Sequence, residues 1–544
     1  MPLELRLISS LEKVFWDEEL RAPMCAGITA LRGERVSFQA ACRLTGEERA
    51  DIAARVEAPL PAEIYEVGVV PVTLAAYSLR DGEYLRTTPG LYPDPLYPHR
   101  GELSLAQGQW RCLWVSFVVP SDAPAGILTV RLALSRAYAP EEKQAAAEFR
   151  VEVLPARLPE QTLLHTQWFH CDCLATRYRV PVFSEEHWAL IDSYMENAAA
   201  FGINMILTPL FTPPLDTAVG GERPTVQLVE VRRQKDGYVF GFQRLERYMT
   251  LAEKHGIRQF EMAHLFTQWG AAAAPKIVAE ADGEERRIFG WDTDAGSAEY
   301  VAFLRAFLRA LRGFLDRTGR SGRCWFHISD EPSLDMLDAY RRAKESIAEE
   351  LEGFPVIDAL SSYAFYEKGV VARPIPANDH IGDFLARGVK PLWTYTCCAQ
   401  KVDVSNRFMA MPSARNRVLG CQLFKYDIEG FLQWGYNFWY SRESLREIDP
   451  FTETGGGDAF PAGDAFLVYP GADGKPISSL RQMVFHEGLQ DLRALRLLET
   501  LTSHEEAVAV LEEAGAVGFR EYPRSAAWLL TMRERVNRRI AELI

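Results

Sequence analysis

Two adjacent carboxylates, Asp330 and Glu331, stand at the end of an apolar and aromatic run, Trp325-Phe326-His327-Ile328-Ser329, and are followed by Pro332. Neighbouring acids raise each other's proton affinity, so one tends to hold a proton near neutrality while the other is ionised. Cleavage of a glycosidic bond needs that pairing, a proton donor for the leaving oxygen beside a carboxylate that stabilises positive charge. A plainer role is open as well. An acid at the amino end of a helix gains about 0.3–1 kcal/mol from the macrodipole, and proline suits a first helical turn. Capping accounts for one carboxylate, not for two.

The elements that must position the pair follow from periodicity. Residues 1–155 read as a β-sandwich domain of short strands separated by turn residues. The segment 154–159 carries two prolines and reads as a stiff linker. Beyond it the rhythm is strand, loop, helix. Residues 163–169, 204–208, 258–262 and 324–328 are expected as four strands, with 354–360, 371–376, 390–396 and 418–423 as four more. Helices are expected over 185–200, 242–255 and 298–317, with another from Pro332 to about Leu351 and a polar hairpin near 225–240. This α/β pattern predicts a (β/α)8-barrel catalytic domain over 160–500, and 501–544 a helical segment packed on it.

In such a barrel, residues at the carboxyl ends of the strands share one face. The first strand leads to His170 and Asp172, the third to Glu261, His264 and Trp269, and the fourth to Asp330 and Glu331. The seventh carries Trp393 and Tyr395, and the eighth leads to Trp434, Asn437 and Trp439; Tyr363 is a further aromatic candidate. Aromatic rings stack on the apolar faces of pyranoses while carboxylates and amides bind hydroxyls, so these are candidate sugar contacts. Each tryptophan taken alone reads equally well as core packing.

Composition narrows the partners. A formal charge of −14 over 544 residues disfavours nucleic acid and anionic membrane surfaces. The start of the chain lacks the basic and apolar run of a secretory signal, and no stretch approaches ~20 apolar residues, so a cytoplasmic protein is expected. The nine cysteines read mostly as reduced, buried thiols, and Cys171-Asp172-Cys173 has the wrong spacing for a zinc knuckle. Neither metal nor cofactor is expected. A metal-dependent hydrolase would draw on His170, Asp172, His264 and His327, which come from different strands and lack a clustered ligand motif.

The stretch His327-Ile328-Ser329-Asp330-Glu331-Pro332 resembles the motif of bacterial β-N-acetylgalactosaminidases related to glycoside hydrolase family 123. The resemblance extends to residues 166–172, 265–270 and 430–439, and to Tyr469-Pro470-Gly471 followed by Ser479-Leu480-Arg481. It implies an exo-acting, retaining, substrate-assisted mechanism on an N-acetylhexosamine-containing oligosaccharide, through an oxazoline. Glu331 would be the general acid and then base, and Asp330 would orient the 2-acetamido group; Tyr395, by its position at a strand end alone, is the candidate to bind the acetamido oxygen. An ordinary retaining scheme needs an enzyme nucleophile about 5–5.5 Å from the acid. In many sugar-cleaving barrels it lies on the seventh strand, where 390–396 holds no carboxylate; Glu261 and Asp172 remain open as substitutes. A β-N-acetylglucosaminidase or other hexosaminidase of the same mechanism, and a non-catalytic sugar-binding barrel, are the alternatives.

Overall fold

The computed structural model describes residues 3–544. In Arg49–Glu57 and Glu102–Ala106 buried residues recur at alternate positions, the period of a strand with one face on a core. Two five-stranded sheets result. One runs in the order Leu3–Ser9, Arg35–Leu44, Arg111–Val118, Glu63–Val72, Gly90–Pro98. The other runs Gly27–Arg32, Ala139–Arg157, Gly126–Arg136, Arg49–Glu57, Glu102–Ala106. Their inner faces share one apolar core, in which Phe38 stacks on Phe149 with ring centroids 4.1 Å apart.

The rest is α/β, built on eight short strands. These are β1 (Leu164–Gln167), β2 (Met205–Thr208), β3 (Gln259–Met262), β4 (Cys324–Phe326), β5 (Ile357–Ala359), β6 (Arg373–Ile375), β7 (Trp393–Thr396) and β8 (Gly430–Gln433). β4, β3, β2, β1, β8 and β7 make one parallel sheet in that order, and β5 pairs in parallel with β6. Single parallel bridges, Phe326 to Val356 and Ala377 to Tyr395, join the two sets. β2, β7 and β8 are buried throughout, as strands covered on both faces must be. Met205, Leu207, Trp325, Ile357, Trp393 and Leu432 form a separate core of their own.

The helices Glu185–Ala200 and Ala298–Arg317 begin where serines stop the apolar repeat. Ser184 and Ser297 accept the His187 and Tyr300 amides at 3.3 and 3.4 Å, which satisfies one orphan donor of each first turn. The polar hairpin pairs Glu230–Gln234 with Gly237–Gly241.

Two expectations fail. Residues 418–423 are not the eighth strand but lie in a buried helix, Leu419–Lys425. A short apolar run fits either state, and the true β8 is disguised by Gly430, where a Cβ would lie 2.2 Å from Cδ2 of Trp393. Pro332 does not open a helix either. A 3-10 turn at Leu334–Met336 intervenes, and the helix spans only Leu337–Ser346. The acid pair therefore caps no helix.

Candidate active site

Beyond β4 the chain continues through His327-Ile328-Ser329 to the pair. Glu331 has φ 43°, a left-handed conformation that costs a non-glycine residue of order 1–3 kcal/mol and persists only where its surroundings fix it. Here they do. The Glu331 amide donates to the Ala359 carbonyl at 3.1 Å, and the Asp330 carbonyl accepts the Trp269 amide at 2.9 Å. Ser329 Oγ donates to the Thr267 carbonyl at 2.8 Å and accepts the Ala271 amide at 3.1 Å. Trp269 is itself left-handed, with φ 59°. Two strained turns thus lock each other beside a cavity of about 350 Å³.

The cavity brings together six of the candidate residues: His170, Trp269, Asp330, Glu331, Tyr395 and Trp434. Tyr395 Oη donates to Glu331 Oε1 at 2.5 Å. Asp330 is half-buried, and among the described residues no group donates to its carboxylate. Burial, then the neighbouring Glu331 charge, holds Asp330 well above the usual aspartate range, while His327 opposes them. Trp269 is 40% exposed and offers a ring at the cavity's edge. Trp434 is fixed by a 2.9 Å bond from its Nε1 to Asp464, whose own proton affinity burial raises to about 7.

Glu261 and His264 lie in the buried interior, off the cavity. His327 Nε2 faces Glu261 at 2.7 Å and its Nδ1 faces Asp358 at 3.0 Å. Glu261 also accepts Thr166 Oγ1 at 2.5 Å and Trp168 Nε1 at 2.8 Å, and Asp358 accepts the Ile328 amide at 3.1 Å. Burial works against a charge on His327, but the two carboxylates outweigh it and lift its pKa to about 10. His264 stacks on His327 at 4.3 Å, and among the described residues neither of its ring nitrogens has a partner. His264, His327 and Asp358 offer ligand atoms within 4.8 Å of one another. An ion there would have to displace a hydrogen bond at each His327 nitrogen it used.

The remaining candidates are placed elsewhere, each for a physical reason. Asp172 is bound by Arg223 through two 2.8 Å contacts. Arg223 also meets His170 Nδ1 at 3.1 Å, and His170 Nε2 donates to the Trp434 carbonyl at 2.9 Å. Asn437 ties the His170 backbone at both its amide and its carbonyl, at 2.9 and 3.0 Å. Trp393 opens β7 and is fully buried, its Nε1 bonded to Glu429 at 2.8 Å; Tyr395, two residues on, reaches the cavity. Trp439 is core, donating to the Val468 carbonyl at 3.3 Å, and Tyr363 packs on Phe384 and beneath Arg387. Asp172, Glu261, His264, Tyr363, Trp393, Asn437 and Trp439 therefore do not line the cavity.

Sequence reasoning missed other lining residues. Trp168 and Gln268 lie inside the stretches 166–172 and 265–270, beside the candidates chosen there. Asp216 is a third cavity carboxylate. Burial raises it to about 6, and it accepts the Glu443 amide at 3.0 Å. Tyr77 reaches in from the β-rich start of the chain, its hydroxyl on the Ala459 carbonyl at 2.6 Å, and nothing local in the sequence announces it.

A β-rich start, an α/β body and an acid pair among aromatic rings at the strand ends define a carbohydrate-cleaving class of enzyme. Residues 168–498 match the catalytic domain of glycoside hydrolase family 123; the chain belongs to that family and is a glycosidase. Its structure is similar to that of a family 123 glycoside hydrolase from Clostridium perfringens, analysed for the details of glycolipid glycan hydrolysis. The TM-score is 0.76 at 16% identity, covering 99% of this chain and 98% of that one. A β-glucuronidase from Parabacteroides merdae is similar at TM-score 0.29 and 10% identity, over 91% of this chain and 51% of that one. No curated protein matches the chain. No helix among the described residues is long and apolar enough to cross a membrane.

Proposed function

We propose that the chain releases terminal β-linked N-acetylgalactosamine from oligosaccharides, including the glycans of glycolipids, with retention of configuration and with the substrate's 2-acetamido group as nucleophile. The eight strands would close as a (β/α)8 barrel over 160–500, with residues 1–155 as a β-sandwich domain in front and 501–544 as an appended helical segment. The observation that carries this reading is the unequal setting of the acid pair. Asp330 lacks a donor, and Glu331 already has one in Tyr395. The substitutes for an enzyme nucleophile on β7, Glu261 and Asp172, are buried and fully engaged.

On binding, the acetamido N–H donates to Asp330, favours its ionised form, and so moves the pair's proton to Glu331. Tyr395 turns its hydroxyl from Glu331 to the acetamido oxygen. That oxygen attacks C1 as Glu331 protonates the departing glycosidic oxygen, which leaves an oxazoline whose positive charge Asp330 balances. Glu331 then takes a proton from water, the water adds to C1, and the ring opens to the acetamide with the β configuration restored. Chromogenic β-N-acetylgalactosaminides and β-N-acetylglucosaminides test the reading. Release of N-acetylgalactosamine and inhibition by an N-acetyl thiazoline are expected; no release from either substrate by folded protein between about pH 4 and 8 overturns it.

Asp216 supports a second reading. As a third carboxylate in the cavity it would be the nucleophile of the ordinary retaining scheme. Asp216→Asn would then abolish turnover, and a fluorinated glycoside whose ester hydrolyses slowly would label Asp216 of the native enzyme, whereas under the first reading the substitution costs less than about tenfold and no ester forms.

A further inference from the structure

Cys397 and Cys398 follow β7 directly and both line the cavity that holds Asp330 and Glu331. Six of the other seven cysteines are buried; Cys25, half-buried, lines a separate cavity against the β-rich region. The turn bearing the two thiols is pinned through its backbone. The Cys397 amide donates to Gln400 Oε1 at 2.9 Å, and its carbonyl accepts Asn406 Nδ2 at 2.9 Å and the Gln400 amide at 3.2 Å. The Cys398 N–H faces the Asp464 carboxylate. Neither cysteine is in a disulfide and both residues are half-buried; the two thiols meet each other, and that of Cys398 also meets the Tyr77 hydroxyl.

We propose that Cys397 and Cys398 are a dithiol site in the wall of this cavity for a soft, thiophilic ligand that bridges both sulfurs, of the trivalent arsenic class. Spacing selects the ligand. The peptide between the two residues is trans, so their Cα atoms lie about 3.8 Å apart, short of the roughly 4.4–6.8 Å that an unstrained disulfide spans. One large atom inserted between the sulfurs lengthens the bridge and relieves that strain. The surroundings exclude zinc, which in a closed site takes four ligands. His170, in the same cavity wall, has both nitrogens engaged, Glu331 is bonded to Tyr395, and Asp464 is held by Trp434 and Cys398. An aryl arsenic(III) oxide needs two sulfurs only. Two arsenic–sulfur bonds form, the arsenic–oxygen double bond breaks, and the oxygen leaves as water with both thiol protons, without change of oxidation state.

The test uses the full reduced chain and phenylarsine oxide, read by intact mass. One phenylarsenic group per chain is expected, resistant to a monothiol wash and removed by dithiothreitol. Cys397→Ser and Cys398→Ser should each lose this adduct while melting like the parent, and Cys25→Ser should keep it. No adduct on the native chain, or one that survives both serine changes at the pair, overturns the proposal. The adduct should also lower glycoside hydrolysis more than tenfold, reversibly with dithiothreitol. That last readout rests on the hydrolase reading and the mass readout does not, so the two failures are separable.

Discussion

The pair Asp330–Glu331 and the triplet Glu261–His327–Asp358 meet in one short segment, His327 to Glu331, and use the same chemistry, yet they are opposites. In the triplet every carboxylate has its donors and His327 has an acid on each nitrogen. In the pair one carboxylate has no donor and the other a single phenol. A fully satisfied buried cluster fixes geometry, whereas an unsatisfied carboxylate at a cavity wall is a group waiting for a ligand. Residue type did not separate the two roles. Hydrogen-bond saturation does.

The largest effect that breaks the comparison belongs to Glu331. Glu331→Gln should keep the fold and remove the proposed proton donor, so turnover of substrates with poor leaving groups should fall about 10²–10⁴-fold, with melting temperature little changed. A variant within threefold of the parent would take Glu331 out of the mechanism. The triplet should behave in reverse. Asp358→Asn leaves the imidazolium short of a counter-charge in a dry interior and should cost about 3–5 kcal/mol of stability, read by chemical denaturation. A loss of activity without a loss of stability would show that the triplet is catalytic after all.

The triplet also predicts a pH window. His327 titrates at about 10 in the fold against an ordinary 6.5, so its folded-state pKa is raised. Its contribution is fully present below 6.5 and is lost as pH rises through about 10. Melting temperature should therefore decline over that alkaline interval, and the decline should shrink in His327→Gln. An unchanged alkaline slope in that variant would assign the window to other groups.

How much of this was legible depends on the length of the signal. Helices of 16 and 20 residues, Glu185–Ala200 and Ala298–Arg317, repeat their apolar pattern often enough to be read from it. The inner strands are three or four residues long, too short to show a period, so β8 was sought in a buried helix. The same shortness hides depth. Trp393 and Tyr395 share one strand and one side of it, yet one is sealed among Trp325 and Glu429 and the other faces Glu331. A motif marks the acids because they are contiguous. Tyr77 and Asp216 reach the cavity from distant segments, and only the folded chain brings them there.

The smallest effect sharpens the comparison most, because its sign is opposite to that of the triplet. Asp330 is held above the usual aspartate value of about 3.9 by burial and by Glu331. An acid whose folded pKa is raised has its stabilising contribution below the unfolded value and loses it as pH rises. At neutral pH the native state therefore bears a cost that the unfolded chain does not. Asp330→Asn removes that cost and should stabilise the protein by about 1 kcal/mol at pH 7, while abolishing assistance by the acetamido group. The gain should vanish as pH falls below about 3.9, where the aspartate is protonated in both states. Paired melting curves of parent and variant across that range supply the measurement. A variant less stable than its parent at pH 7 would mean that Asp330 is held by the fold as the triplet is, not left open for a substrate.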